Sequence, residues 1–464
     1  MAWQARPGPI FQRWPIHSVS RSVGLVVPLC RLGKQISTLF NFLTPDRPSY
    51  RRLPKPRDSL HQTAERDAMA QNTKKIILSI NAGSSSVKVS VYLAEKHLRP
   101  QQIAEAQLSG LTAPPAKLEY SRHGEPIVKD EEVSTEVVGQ DEAFALLLDT
   151  LVKDGELREV GSKHDFSVAC HRIVHGGDYT ESRVINRDTY RHLEELGDLA
   201  PLHNGAALEI VESCMKQLPG ATNVACFDSQ FHATIPAHIS TYPINPAVAG
   251  KNRLRKYGFH GLSYAFMARS VAEFLDRDLN QLNMIALHLG SGASACAVKG
   301  GRSWDTSMGL TPLEGLPGAT RSGSVDPRAE EMLNKQSGWK ALTGTTDFGA
   351  IAESDEPTHK LAFDLFVDRV CGFVGRYYVS LEGQVDALVF AGGIGEKSSR
   401  FRDEVVRRTN CLGFWMDGSR NSGRLGGVVE DIGAKDGRHR VLVCRTNEQL
   451  EMAREATKNE EMWA

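Results

Sequence analysis

The stretch "IILSINAGSSSVKVSV", Ile76–Val91, sets an apolar run, a Gly/Ser loop and a second alternating run in succession, with Lys88 just past the loop. Two readings fit it. Asn, Gly and Ser are ordinary turn formers, so the stretch is a hairpin. The same loop is also a concave array of backbone N–H groups and hydroxyls for an anion, to which Lys88 adds a point charge. An echo of the pattern, "IALHLGSGASACAV", begins at Ile285. Repetition of strand, small-residue loop and strand predicts two related halves offering their loops to one polyphosphate in the cleft between them. Two unrelated Gly/Ser hairpins are the alternative.

Around these units strands alternate with helices. "DEAFALLLDTLVKDG", "HNGAALEIVESCMKQLPG" and "KLAFDLFVDRVCGFVGRYYVSLEG" carry helical periodicity; "VACHRIV", "NVACFD" and "DALVFAGG" read as buried strands. The final helix, "TNEQLEMAREATKNEE", opens with Thr446 and Gln449 at capping-box spacing. The class is α/β with mixed sheets.

At 464 residues, 41% hydrophobic and 24% charged, the chain has the composition of a soluble globular protein long enough for two domains. Its net charge of −1 conceals an asymmetry. Residues 1–57 hold ten of the 55 Lys and Arg but one of the 56 acids, Asp46, leaving 45 bases against 55 acids in the remainder. An acidic body argues against nucleic-acid or anionic-membrane partners. The Arg- and Ser-bearing front resembles a mitochondrial transit peptide, although its prolines interrupt any amphipathic helix. "VGLVVPLC" there is too short to span a bilayer. Met69 stands just before the first core pattern, so residues 1–68 read as a leader outside the fold. The expected location is the cytoplasm, or the mitochondrion if that leader acts as a transit peptide. Eight cysteines (Cys30, Cys170, Cys214, Cys226, Cys296, Cys371, Cys411 and Cys444) are scattered without a C-x-x-C pair and read as buried free thiols.

Chemistry concentrates where strands or turns end. "CHRIVHGGD" places Arg172 after an apolar strand, "APLHN" puts His203 at a helix start, and "ACFDSQFH" ends a buried strand with Asp228. "GFHGLS" presents His260 before a helix, and "LPGATRSGSVDP" carries Arg321 in a glycine-rich loop. Singly, each has a structural use as a cap or an ion pair. Together, two arginines, histidines, an aspartate and two small-residue loops fit phosphoryl transfer to a small carboxylate.

With "NAGSSSVK", "HRIVHGG", "FDSQFH", "YGFHGLS", "HLGSGAS", "GGIGE" and "TNEQL" in order, residues 75–459 resemble the acetokinase family. The resemblance implies an actin-like ATPase duplicated fold of two related domains, mixed sheets flanked by helices, and an active site in the cleft between them. It implies residues 1–74 outside the fold, domains at 75–228 and 229–445, and a helix over 446–461 packing back on the first domain. The implied reaction is reversible, magnesium-dependent transfer of the ATP γ-phosphate to acetate, in a homodimer.

Residue by residue, the resemblance assigns Asn81 and Glu448 to magnesium. Asp228, His260, Arg321 and His203 become catalytic. Arg172 becomes the acetate-binding arginine, and Val174, Leu202, Phe259 and Pro312 line the methyl pocket. On the nucleotide it implies Ser84, Ser85, Ser86 and Lys88; then His288, Leu289, Gly290, Ser291 and Gly292; then Asp347, Gly393, Ile394, Gly395 and Glu396. The chain departs from the family pattern at Leu262, Tyr264, Ser291, Ser324, Gly349 and Lys397, largely on the adenosine side. Rivals are a propionate, butyrate or pyrophosphate-using relative, and a nucleotide-switch ATPase without an acyl acceptor. "DFG" at Asp347–Gly349 lacks its protein-kinase context, and no Walker A motif occurs.

Overall fold

The computed structural model describes residues 74–83, 85–112, 114–133, 137, 139–196, 201–325 and 337–463. The leader read over residues 1–68 lies outside them. Strands β1 (Lys75–Ala82) and β2 (Ser86–Ala94) form a hairpin in which Asn81 faces Lys88. β3 (Gln101–Ser109), β4 (Lys117–Arg122) and β5 (Glu125–Glu132) extend it antiparallel. On the other side of β1, β6 (Phe166–Ile173) and β8 (Thr222–Phe227) run parallel to it, and β7 (Arg183–Val184) closes the edge. The order is β5-β4-β3-β2-β1-β6-β8-β7.

The second sheet repeats the plan. β9 (Met284–Leu289) and β10 (Ala293–Lys299) make the hairpin, and β11 (Arg302–Thr306) extends it. β12 (Ala387–Ala391) and β14 (Arg440–Cys444) run parallel to β9, with β13 (Val429–Asp431) at the edge. Its order, β11-β10-β9-β12-β14-β13, matches β3-β2-β1-β6-β8-β7 of the first sheet strand for strand. The echo seen in the sequence is therefore a repeated topology. In each sheet three adjacent parallel strands end side by side, where parallel sheets hold their ligands.

Both sheets are covered on two faces, which is why Ile76, Ile77 and Leu78 run on without alternating. Leu78 and Ile80 face Phe144 and Leu147 of α1 (Gln140–Lys153) and Ile210 of α2 (Pro201–Gln217). Ile77, Cys170 and Val224 face the other way. They pack against Leu262 of α3 (Gly261–Phe274) and against Met452, Ala453 and Ala456 of a helix near the C-terminal end. In the second sheet Met267 and Val271 of α3 cover Met284, Ala286 and Val389. Phe366 and Val370 of α4 (Pro357–Ser380) cover Ile285, Leu287 and Leu388 on the opposite face.

The helix near the C-terminal end, α5, spans Glu448–Lys458. The expected capping box on Thr446 is not formed. Asn447 is the cap, its side chain accepting from the Leu450 amide at 2.8 Å. Asn caps at least as well as Thr and stands one residue nearer the apolar stripe. The seven described cysteines are free; Cys411 is exposed and Cys371 half-buried, so the expectation of burial fails at Cys411. Among the described residues no helix is long and apolar enough to cross a membrane.

Candidate active site

The ends of β1, β6 and β8 carry Asn81, Arg172 and Asp228 side by side. Arg172 donates through Nε and Nη2 to the two Asp228 oxygens at 3.1 and 2.7 Å. Its Nη1 lies 3.1 Å from Glu448 Oε2 and donates to Asn81 Oδ1 at 3.4 Å. Glu448 opens α5, accepts from Asn81 Nδ2 at 3.3 Å, and its other oxygen accepts from Ser263 Oγ on α3 at 2.6 Å. Residues from both ends of the chain thus meet on one guanidinium. Burial works against all three charges. It raises the Asp228 carboxyl, opposed by Arg172. In Glu448 burial is outweighed by Arg172, His288, the Ser263 hydrogen bond and Lys88 together, and the carboxyl is lowered. In Arg172 burial is outweighed by the two carboxylates, and the guanidinium is raised further.

The second half brings His260, Arg321 and His288 to this rim. His260 immediately precedes α3 with φ +60°, a left-handed conformation costing about 1–3 kcal/mol in a residue with a side chain. What forces it is the contact behind: Gly261 donates to the Asp228 carbonyl at 2.8 Å, and a Cβ there would stand 2.1 Å from that oxygen. A Cβ on Gly292 would lie 3.5 Å from both His260 Nε2 and Arg321 Nη1, so these two donors border the same space. The His288 ring stacks on His260 at 4.1 Å. Burial, then His288 and the two arginines, hold the His260 imidazole well below its usual range, and it is neutral.

A neutral imidazole carries one proton. His260 Nδ1 lies 2.7 Å from Ser294 Oγ, which lies 2.5 Å from Tyr264 Oη. Burial keeps the Tyr264 phenol protonated. The pattern that gives each buried hydroxyl hydrogen an acceptor runs Tyr264 to Ser294 to His260 Nδ1. The proton of His260 is then on Nε2, the nitrogen toward Gly292 and Arg321.

Arg321 Nη1 also donates to the carbonyl of the buried Pro312 at 3.4 Å, and burial lowers its guanidinium. Val174 packs with Tyr257, Phe259, Met308 and Leu310 in a small apolar cluster beside Arg172 in sequence. Leu202 and His203 belong to the backbone of α2, but their side chains lie outside the described set.

A cleft of about 420 Å³ adjoins this rim, lined by Gly290, Ser291, Asp347, Gly393 and Ile394 among the sequence-derived residues. Gly392 has φ +74°, and a Cβ on it would meet the Leu289 carbonyl oxygen at 2.6 Å. That close approach brings β12 and its following helix (Gly392–Lys397) onto the end of β9. Asp347 lines the cleft while capping the next helix, accepting from the Gly349 amide at 2.8 Å. Gly395 and Glu396 are not in the lining. Lys88 and the first loop stand on the other sheet: Lys88 pairs with Glu105 at 2.8 Å, Gly83 donates to the Ser86 carbonyl, and Leu111 donates to that of Ser85. Ser84 lies outside the described residues.

Three contributors escape sequence reasoning. Trp339 and Phe348 wall the cleft. Arg402, 2% exposed, donates to the Gly395 and Glu396 carbonyls at 2.9 and 2.8 Å and to Asn421 at 2.7 Å. Nothing in "SRFRDEVVRR" separates it from its solvated neighbours.

A family model described as the acetokinase family matches residues 76–454. A probable acetate kinase of Chaetomium globosum is 54% identical over 455 residues, covering 84% of this chain and 99% of that protein. One of Neurospora crassa is 54% identical over 446 residues, covering 84% and 95%. Among solved structures, Porphyromonas gingivalis acetate kinase aligns with TM-score 0.70 at 31% identity, over 82% of this chain and 98% of that one. A Francisella tularensis propionate kinase gives 0.72 at 34%, again over 82% and 98%. With its two mixed sheets, its paired strand-end rims and these matches, the chain belongs to the acetokinase family.

Proposed function

We propose that this protein transfers the γ-phosphoryl group of ATP to acetate, reversibly, giving acetyl phosphate and ADP. The supporting observation is the convergence of Arg172, Asp228, His260 and Arg321 beside both an apolar niche and a nucleotide-sized cleft. Arg172 holds the acetate carboxylate, and Val174 and Phe259 surround its methyl group. A carboxylate oxygen attacks the γ-phosphorus, the bond to the β-bridging oxygen breaks, and ADP leaves with that electron pair. No proton moves in this step, because acetate arrives ionised. Arg321 and the Nε2–H of His260 face the charge that spreads over the transferring oxygens. Asp228 fixes the Arg172 plane from behind. On this reading residues 75–228 and 229–445 are the two domains.

Asn81 and Glu448 would hold Mg²⁺. Their oxygens already share one cationic nitrogen, and an amide and a carboxylate suit an ion that keeps waters and substrate phosphates as its other ligands. When bound, it would neutralise phosphate charge.

The test is trapping of acetyl phosphate as its hydroxamate with purified protein, magnesium and ATP, GTP or pyrophosphate. Product with ATP supports the reading. Activity with pyrophosphate and with neither nucleotide overturns the donor, and no acyl phosphate from any donor overturns the reaction.

A further inference from the structure

We propose that Glu448 competes with the substrate carboxylate for Nη1 of Arg172, holding the arginine short of a full grip on acetate until a cation draws Glu448 away. This rests on Arg172 being the acetate-binding arginine of the function proposed above. A guanidinium offers two edges for paired hydrogen bonds to a carboxylate. The Nε–Nη2 edge of Arg172 is taken by Asp228. Acetate is left with the Nη1–Nη2 edge, where Nη1 already donates to Asn81 at 3.4 Å and is ion-paired with Glu448 Oε2 at 3.1 Å.

Glu448 does not simply follow the arginine. Its Oε1 is anchored by Ser263 on α3, and its backbone opens α5, whose other turns are locked into the core. The arginine side chain is 20% exposed, enough for a small anion to reach it. Glu448 sets a second negative charge beside Arg172, which repels an incoming carboxylate as well as drawing on Nη1. A cation bound to Glu448 removes both obstacles, and by linkage acetate must tighten the binding of that cation equally.

Calorimetric titration of acetate into the full-length protein, in EDTA and without nucleotide, tests this. Glu448→Gln keeps the side chain's shape but not its charge, and should bind acetate about tenfold more tightly than wild type. Glu448→Asp, which retracts the carboxylate but keeps the charge, should fall between them and serves if the first variant does not fold. Added MgCl₂ should tighten acetate binding in wild type and leave Glu448→Gln unchanged. Arg172→Ala should lose acetate binding throughout. Glu448 variants no tighter than wild type, with Arg172→Ala unable to bind, would overturn the competition alone. Wild-type affinity in Arg172→Ala would instead remove Arg172 from the acetate site.

Discussion

At the scale of single residues, the rim separates groups that grip substrate from groups that answer the moving charge. Arg321 belongs to the second kind. Arg321→Ala should lower kcat by about 10²–10³-fold, the range for losing one preorganised donor, with the KM for acetate within a few-fold. A matched rise in KM with kcat preserved would move Arg321 to ground-state binding. Val174 is tested through its chemistry with longer acids. Val174→Ala opens the niche, and propionate should gain on acetate by about 1–3 kcal/mol in relative kcat/KM. Unchanged discrimination would return Val174 to the general core.

Among elements, the short helix Gly392–Lys397 depends on Arg402, whose guanidinium caps its last carbonyls; among the described residues no carboxylate pairs with it. Burial without a counter-charge lowers this arginine to about 10. Arg402→Met should release the cleft wall: KM for ATP rises about tenfold while KM for acetate stays within twofold. Arg402→Lys, with one point charge in place of a planar fork, should recover only part. Equal changes in both KM values would make Arg402 a general core residue. The same elements show what the sequence discloses. Arg172 and Asp228 are legible because each stands where an apolar run stops. Arg402 is not, since its partner Asn421 comes from a separate turn that helical periodicity cannot connect to it. β5 is also hidden, because an edge strand such as "EPIVKDEE" carries charge that protects its open side. Ser294 and Tyr264 read as an ordinary strand serine and helix tyrosine until the fold stacks them behind His260.

For the molecule as a whole, three buried histidines set an acid limit. His171, His175 and His232 are at most 2% exposed, and burial lowers each to about 4. Unfolded, they titrate near 6.5. Between these values the unfolded chain binds the extra protons, so stability rises with pH across that window. It is complete above about 6.5 and drains away as pH falls toward 4. Each histidine adds up to ~1.4 kcal/mol per pH unit to the slope. Urea unfolding at pH 7, 6 and 5 should show the midpoint falling steadily, and His171→Gln should make that fall shallower. A midpoint constant from pH 6.5 to 5 would contradict this account.

Asn81 and Glu448 touch across 367 positions of chain. On the ribosome this distance becomes time. A nascent chain released as far as Cys444 already contains every strand of both sheets, yet it has no Glu448 and gives Ile77, Cys170 and Val224 only Leu262 of α3, without Met452, Ala453 and Ala456 of α5. Such a chain holds all the strands of its first sheet while one apolar face lacks part of its cover.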